Sequence, residues 1–530
     1  MSKRVMAAIA AGVLLATSAI AAPKATNTTR YLIEYPAGNR AAIMNYIARL
    51  GGNVAFDYSI INGLAADLTP AQLRALRTAG LATTIDEDSY RTLHALPDFS
   101  VETVPWGVDR VEADAVWSSD ASGGDPNVKS GSAVVAGQGV KVAVLDSGID
   151  YGHPDLAGNI LDLRGDGKIR DFLDGDADPT DSANNGHGSI VASVIASVDN
   201  SVGVIGVAPH AKIVPYRICN QVCPLSAIIG GLLQAIDDGV DVINMSFGGS
   251  PGFNLEASAI QAANRAGIVL VASAGNEATQ KVQFPAGYDT VIAVGATDVK
   301  DAPASFTNYG GWVDVTGPGV DIPAATCRGC ALDTILDEIS PTNRRLDSAL
   351  AMTGSAVASL SGAQVVYVGR GCIVDAPLAN PAGKIALIDR GACAFSEKVA
   401  KAEAAGAIGA IVANNVSGGF GGTLGSYAAT GPTVSLSQED GQLLKTDIAN
   451  GSTIVDLRVI PADYELASGT SFSGPHVAGV AALVKAANPT LSAIEVRKII
   501  ETTAQKIGPQ VIFGAGMVRA DRAVEAALAH

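Results

Sequence analysis

Three textures of apolar and polar positions follow one another along the chain. In residues 140–145, 212–218, 240–245, 268–272 and 291–294 the apolar positions are nearly continuous and rich in β-branched residues. That pattern fits strands buried on both faces, because half-exposed strands alternate. Between them, residues 189–198, 225–237 and 254–266 space their apolar positions as helices do, and 474–487 and 491–504 do so again near the end. Strand and helix alternating at this spacing predict an α/β fold, a doubly wound parallel sheet with helices on both faces, built from residues 104–325 and 466–530.

The flanking textures differ. Residues 29–92 read as strand, helix, strand, strand, helix, strand, at 30–35, 40–50, 54–60, 63–68, 70–79 and 81–86. Thr69 is placed as an N-cap and Pro70 at the first helical position. This order is the split βαβ, ferredoxin-like sandwich. Leu96, Pro97 and Asp98 read as an exposed linker behind it. Residues 326–465 break the α/β rhythm with short strands at 363–367, 384–388, 410–413 and 433–436, many glycines and one helix at 396–405. They are expected to form a β-rich domain inserted into a surface loop of the larger body.

Composition narrows the function classes. Of 530 residues 48% are apolar and 17% charged, which suits large buried cores and not a disordered chain. A net charge of −16 repels phosphate backbones and anionic lipid, so nucleic-acid and membrane-surface roles are disfavoured. Lys3 and Arg4 precede an apolar run over 5–20 that ends in the small-residue triplet Ala19-Ile20-Ala21. Residues 1–21 thus read as a secretory signal peptide cut near Ala21 or Ala22, placing the mature protein outside the cytoplasm, extracellular or periplasmic. The run is short for a bilayer span, so no membrane anchor is expected after cleavage. Six cysteines, Cys219, Cys223, Cys327, Cys330, Cys372 and Cys393, suit an oxidising compartment, and proximity favours pairing each with its sequence neighbour. No second CxxC or histidine cluster accompanies Cys327 and Cys330, so a local disulfide is expected there and not a redox or metal pair.

Candidate chemistry gathers where parallel sheets bind ligands, beyond the carboxyl ends of the strands. Asp146 follows the 140–145 strand, Ser246-Phe247-Gly248-Gly249 follow 240–245, and Ser273-Ala274-Gly275-Asn276 follow 268–272. His187 heads one helix and Ser471 stands just before another. This set has a specific use. A serine hydroxyl becomes a good nucleophile when an imidazole takes its proton, and a carboxylate behind the imidazole fixes its tautomer. An amide side chain and the nucleophile's own N–H can hold the oxyanion.

Extended motifs surround these residues. Val144-Leu145-Asp146-Ser147-Gly148-Ile149 with His153-Pro154-Asp155-Leu156, Asn185-Gly186-His187-Gly188-Ser189, Ala274-Gly275-Asn276, and Gly469-Thr470-Ser471-Phe472-Ser473-Gly474-Pro475-His476 resemble the aspartate, histidine, oxyanion and serine motifs of subtilisin-like serine proteases. Ser189 and Phe472 depart from the commoner Thr and Met. The resemblance implies a catalytic triad of Asp146, His187 and Ser471, with Asn276 and the Ser471 N–H as oxyanion hole. It further implies two segments, Ser246–Gly249 and Ser273–Gly275, that pair with an extended peptide and wall its specificity pocket. Residues 29–92 are similar to the family's inhibitory propeptides, which implies a preproenzyme that cuts itself near residues 92–105. The insert resembles a protease-associated (PA) domain around Asp389-Arg390-Gly391-Ala392-Cys393, with a role in substrate selection or access.

The expected partners are therefore protein or peptide substrates and the chain's own propeptide. No cofactor is needed for the chemistry. The acidic loop from Asp171 to Asp181 offers oxygen ligands to a structural calcium, though it does not follow the twelve-residue calcium-loop pattern. Gly137-Gln138-Gly139 lacks the third glycine of a dinucleotide fingerprint and reads as a turn, and Asn27 and Asn415 head glycosylation sequons. Two rival readings exist. A peptide-binding protein on a dead protease scaffold need not retain all four site residues, and an α/β-hydrolase esterase requires the order Ser, Asp, His, which this chain does not have.

Overall fold

The computed structural model describes residues 28–58, 62–87, 101–117, 135–181, 186–220, 222–376 and 379–530. The expected signal peptide, the linker at Leu96–Asp98 and the Asn27 sequon lie outside them. The chain divides into two compact units, Met1–Arg91 and Thr92–His530.

In the first unit, Thr29–Glu34, Asn53–Tyr58, Gly63–Leu68 and Thr84–Glu87 form an antiparallel sheet. From one edge to the other the order is second, third, first, fourth. Helices Arg40–Arg49 and Pro70–Ala79 complete the βαββαβ order read from the sequence. Thr69 caps the second helix with a full capping box to Gln72. Ile33, Ile43, Ile47, Leu64, Leu68 and Leu76 form its buried core.

The second unit is organised by a six-stranded, all-parallel sheet. Its order is Val315–Pro318, Val291–Thr297, Val269–Ser273, Val242–Met245, Lys141–Asp146, Lys212–Arg217. Side chains alternate across it as a pleat requires. Val142 and Val144 point into one core with helices His187–Ala196, Thr470–Ala487, Ala493–Thr503 and Ala520–Leu528. Ala143 and Leu145 point into the other, with Leu225–Asp237 and Asn254–Arg265. The first of these six strands in chain order, Lys141–Asp146, lies between the second, Lys212–Arg217, and the third, Val242–Met245. The winding direction reverses there. At such a switch point the loops part and leave a crevice at the carboxyl ends of the strands, and Asp146 and Ser246 stand at its two sides.

The Thr470–Ala487 helix begins four residues earlier than the apolar spacing predicts, so Ser471 sits in its first turn. Pro475 lies inside this helix. A proline lacks the N–H that would bond the carbonyl four residues back, which here belongs to Ser471. Ser246 Oγ donates to that carbonyl at 2.7 Å instead.

The inserted segment leaves and re-enters through an antiparallel ribbon, Ile322–Ala325 against Tyr464–Ala467. Beyond it stands an eight-stranded mixed sheet whose four central strands include Ala358–Gly369, Ile385–Asp389 and Gly409–Ala413. The sequence predicts a single helix in the insert. Among the described residues the structure has two, Phe395–Ala404 and Gln438–Asn450, the second capped by Ser437 accepting from the Asp440 N–H. All three neighbouring cysteine pairs are disulfide-bonded. Among the described residues no helix is long and apolar enough to cross a membrane.

Candidate active site

Asp146 ends its strand and is 3% exposed. Its Oδ1 accepts from His187 Nδ1 at 2.7 Å and from the Ser147 N–H at 2.7 Å. His187 is the first residue of its helix. Glycines on either side let it approach. A Cβ on Gly188 would lie 2.1 Å from the Gly148 carbonyl oxygen, and one on Gly186 would lie 2.1 Å from Thr326 Oγ1. Burial pulls the His187 pKa down, but the Asp146 charge and hydrogen bond, aided by Asp181 and Glu465, outweigh it. The net shift is upward from the ordinary 6.5.

The imidazole packs against the Phe472 ring, centroids 5.4 Å apart, and Phe472 directly follows Ser471. The Ser471 hydroxyl is turned toward the Ser246 carbonyl at 3.2 Å. Asn276 reaches the same place from the end of the Val269–Ser273 strand. Its Oδ1 accepts from both the Thr470 N–H, at 2.9 Å, and the Thr470 hydroxyl, at 2.8 Å. Thr470 Oγ1 in turn accepts from the Gly275 N–H at 3.1 Å. With its oxygen committed to Thr470, Asn276 must turn its NH2 group away from that residue. The sequence motif assigns Thr470 no role; a small hydroxyl residue directly before the nucleophile is the one sign of it there.

The two segments expected to meet substrate differ in what they leave open. Gly249 exchanges both backbone hydrogen bonds with Phe284, whereas among the described residues the Gly248 N–H and C=O bond nothing in the chain. Ala274 and Gly275 offer their carbonyls to Asn308, through its Nδ2 at 2.9 Å and its N–H at 2.9 Å. Gly248 therefore carries free backbone groups.

The insert's stalk is fastened to the loop that follows Asp146. Arg328 donates to both oxygens of Asp150, from Nε at 2.8 Å and Nη2 at 3.1 Å. His153 Nε2 bonds the Asp463 carbonyl at 3.1 Å. Burial holds the carboxyl of Glu465, on the returning strand, above its ordinary 4.5, against the pull of the His187 charge.

Comparison with known proteins turns this arrangement into a family assignment. The model of the subtilase family matches residues 137–364 and 400–516, well over half of the chain. The chain belongs to the subtilase family. It is a serine endopeptidase of the subtilisin type, and a PA domain model matches residues 353–444 of its insert. Subtilisin NAT of Bacillus subtilis subsp. natto is 33% identical over 315 residues, 58% of this chain and 75% of that one. An alkaline protease of Shouchella clausii is 33% identical over 297 residues, 56% of this chain and 70% of that one. Among solved structures, the psychrophilic subtilisin-like protease Apa1 of the Antarctic Pseudoalteromonas sp. AS-11 superposes with a TM-score of 0.53 at 27% identity, covering 81% of this subtilase and 99% of Apa1.

Proposed function

We propose that this subtilase is exported, matures by cutting itself, and hydrolyses peptide bonds through an acyl-enzyme on Ser471. The observation that carries this is the 2.7 Å bond between Asp146 and His187 Nδ1, with the imidazole laid against the neighbour of Ser471. With Nδ1 engaged, Nε2 is the nitrogen left to take the Ser471 proton as Oγ attacks the scissile carbonyl. Asp146 holds that tautomer and stabilises the imidazolium that forms. Asn276 Nδ2 and the Ser471 N–H receive the oxyanion. The imidazolium then protonates the departing amine, and a water activated by the same nitrogen releases the acyl group. Gly248 pairs with the substrate backbone, while Ser273–Gly275 wall the pocket beside it.

Residues 29–92 serve as an inhibitory propeptide in this reading, and the insert governs substrate selection or access. Of the window 92–105, the Thr103 N–H bonds Gly203 and Glu102 accepts from Asn200 and Ser201. Those residues belong to the body's own hydrogen bonding, which favours a cut before residue 102.

Calcium in the acidic loop does not fit the residues present. Arg217 Nη1 lies 2.5 Å from Asp171 and 2.6 Å from Asp174. Arg164 pairs with Asp178 at 3.4 Å. Guanidinium groups already hold Asp171, Asp174 and Asp178, so no calcium is assigned to this loop.

The pH profile tests the role of His187. Only neutral imidazole can accept the Ser471 proton, and the His187 pKa is raised above 6.5. Hydrolysis of a peptide substrate should therefore rise with pH above 6.5, and His187→Ala should abolish it. A profile flat from about pH 5 to 9 would argue for different chemistry.

A further inference from the structure

The loops that carry Asp146 and His187 meet at a third carboxylate. Asp181 is 6% exposed, and each of its oxygens is held by a hydroxyl from a different loop. Ser147, next to Asp146, donates to Oδ1 at 3.1 Å. Ser189, two residues after His187, donates to Oδ2 at 3.0 Å. The serines are themselves cross-tied. Ser147 Oγ accepts the Gly188 N–H of the histidine helix at 2.9 Å, and Ser189 Oγ accepts the Asp150 N–H of the aspartate loop at 2.9 Å. A hydroxyl that accepts a backbone N–H has its proton left to give, so both arms point toward an acceptor. A carboxylate satisfies both at once, and no neutral side chain of that shape does.

We propose that Asp181 is a positioning residue for catalysis: by accepting from Ser147 and Ser189 together, its carboxylate sets the distance and rotation at which Asp146 meets His187. The inference rests on the assignment of Asp146, His187 and Ser471 made above. Misplacing a catalytic group by about 1 Å can cost about 10²-fold in rate, so a clamp between the two loops bears directly on turnover.

The energetics separate this role from simple bracing. Asp181 makes no ion pair among the described residues, and its charge faces that of Asp146. Burial, the Asp146 charge adding to it, raises its pKa from 3.8 to about 7 against the pull of the two hydroxyls. A carboxyl whose folded pKa is raised contributes stability that is full below its unfolded pKa and is lost as pH rises through the folded one. At about pH 9, above its folded pKa, ionised Asp181 is therefore a net burden on the fold. Removing that charge should cost activity without costing stability.

The test is Asp181→Asn at about pH 9, with active sites counted by a fluorophosphonate. Asparagine keeps one arm and reverses the other. The expected result is a loss of about ten-fold or more in kcat, KM within about two-fold, and a Tm no lower than wild type. Ser147→Ala with Ser189→Ala should reproduce the loss, and adding Asp181→Asn to that pair should change little further, as expected for one coupled unit. If the variant matures too slowly to purify, the processing rate of its precursor is the reading, and a rate equal to wild type counts against the proposal. A wild-type kcat per active site, or a loss of kcat matched by an equal loss of Tm and of titratable sites, would overturn it. An active Ser471→Ala would sink the catalytic assignment itself, whereas a normal Asp181→Asn beside a dead Ser471→Ala would sink the clamp alone.

Discussion

Ser471→Ala should accumulate as a precursor that still carries residues 23–92. Cleavage between the propeptide and the body needs a nucleophile, and in the proposed scheme the chain supplies its own. In a subtilisin, removing the serine alone costs about 10⁶ in kcat, and the family relationship carries that magnitude over to this chain. A loss of that size turns maturation within minutes into maturation over years, so intact mass alone reads the outcome. The substitution removes one oxygen whose bond is a 3.2 Å contact to the Ser246 carbonyl, and the Ser246 hydroxyl keeps its acceptor, the backbone carbonyl of residue 471. The fold should therefore survive. Normal processing of the variant, made in a cell-free system without other proteases, would refute self-cleavage.

Asn276→Ala should lower kcat by about 10²–10³ and leave KM within about two-fold, again the magnitude seen when one such donor is removed from a subtilisin. The reason is geometric. Asn276 Oδ1 is spent on the Thr470 N–H and hydroxyl, which in the proposed scheme leaves its NH2 group for the oxyanion, and the oxyanion exists only in the transition state. Alanine also strips Thr470 of its acceptor at the start of the serine helix. Asn276→Asp separates the two effects. Aspartate keeps the acceptor for Thr470 but places a negative charge where negative charge develops, so it should fall at least as far as alanine. Steady-state kinetics on one peptide substrate checks both. An aspartate variant near wild-type activity would remove Asn276 from the oxyanion hole.

Much of this site is legible in the sequence because each reactive residue terminates a buried apolar run or opens a helix. Asp146 follows residues 140–145 and Asn276 follows 268–272, and the parallel sheet then carries both to one edge. What the sequence hides are partners supplied by the fold. Asp181 is six residues before His187 in a polar loop, and only folding brings Ser147 from the other side. The acidic loop resembles a cation site until Arg217, more than thirty residues onward, is placed between Asp171 and Asp174. The Gln438–Asn450 helix escapes a periodicity argument because Gly441 interrupts it and Leu444 is its one buried large apolar residue. Its capping serine and acidic first turn, Glu439 and Asp440, are the signs of it that the sequence does carry. The early start of the serine helix is masked by Pro475, whose missing N–H is compensated by Ser246.

The central claim is that Ser471 is made nucleophilic by His187. A fluorophosphonate reagent reacts with serines activated in this way, so labelling of the mature enzyme, located by mass spectrometry of its peptides, tests the claim most directly. One adduct per chain on Ser471, absent from His187→Ala, is predicted. An unlabelled mature enzyme that still cleaves peptides, or an adduct on a serine other than Ser471, would contradict it.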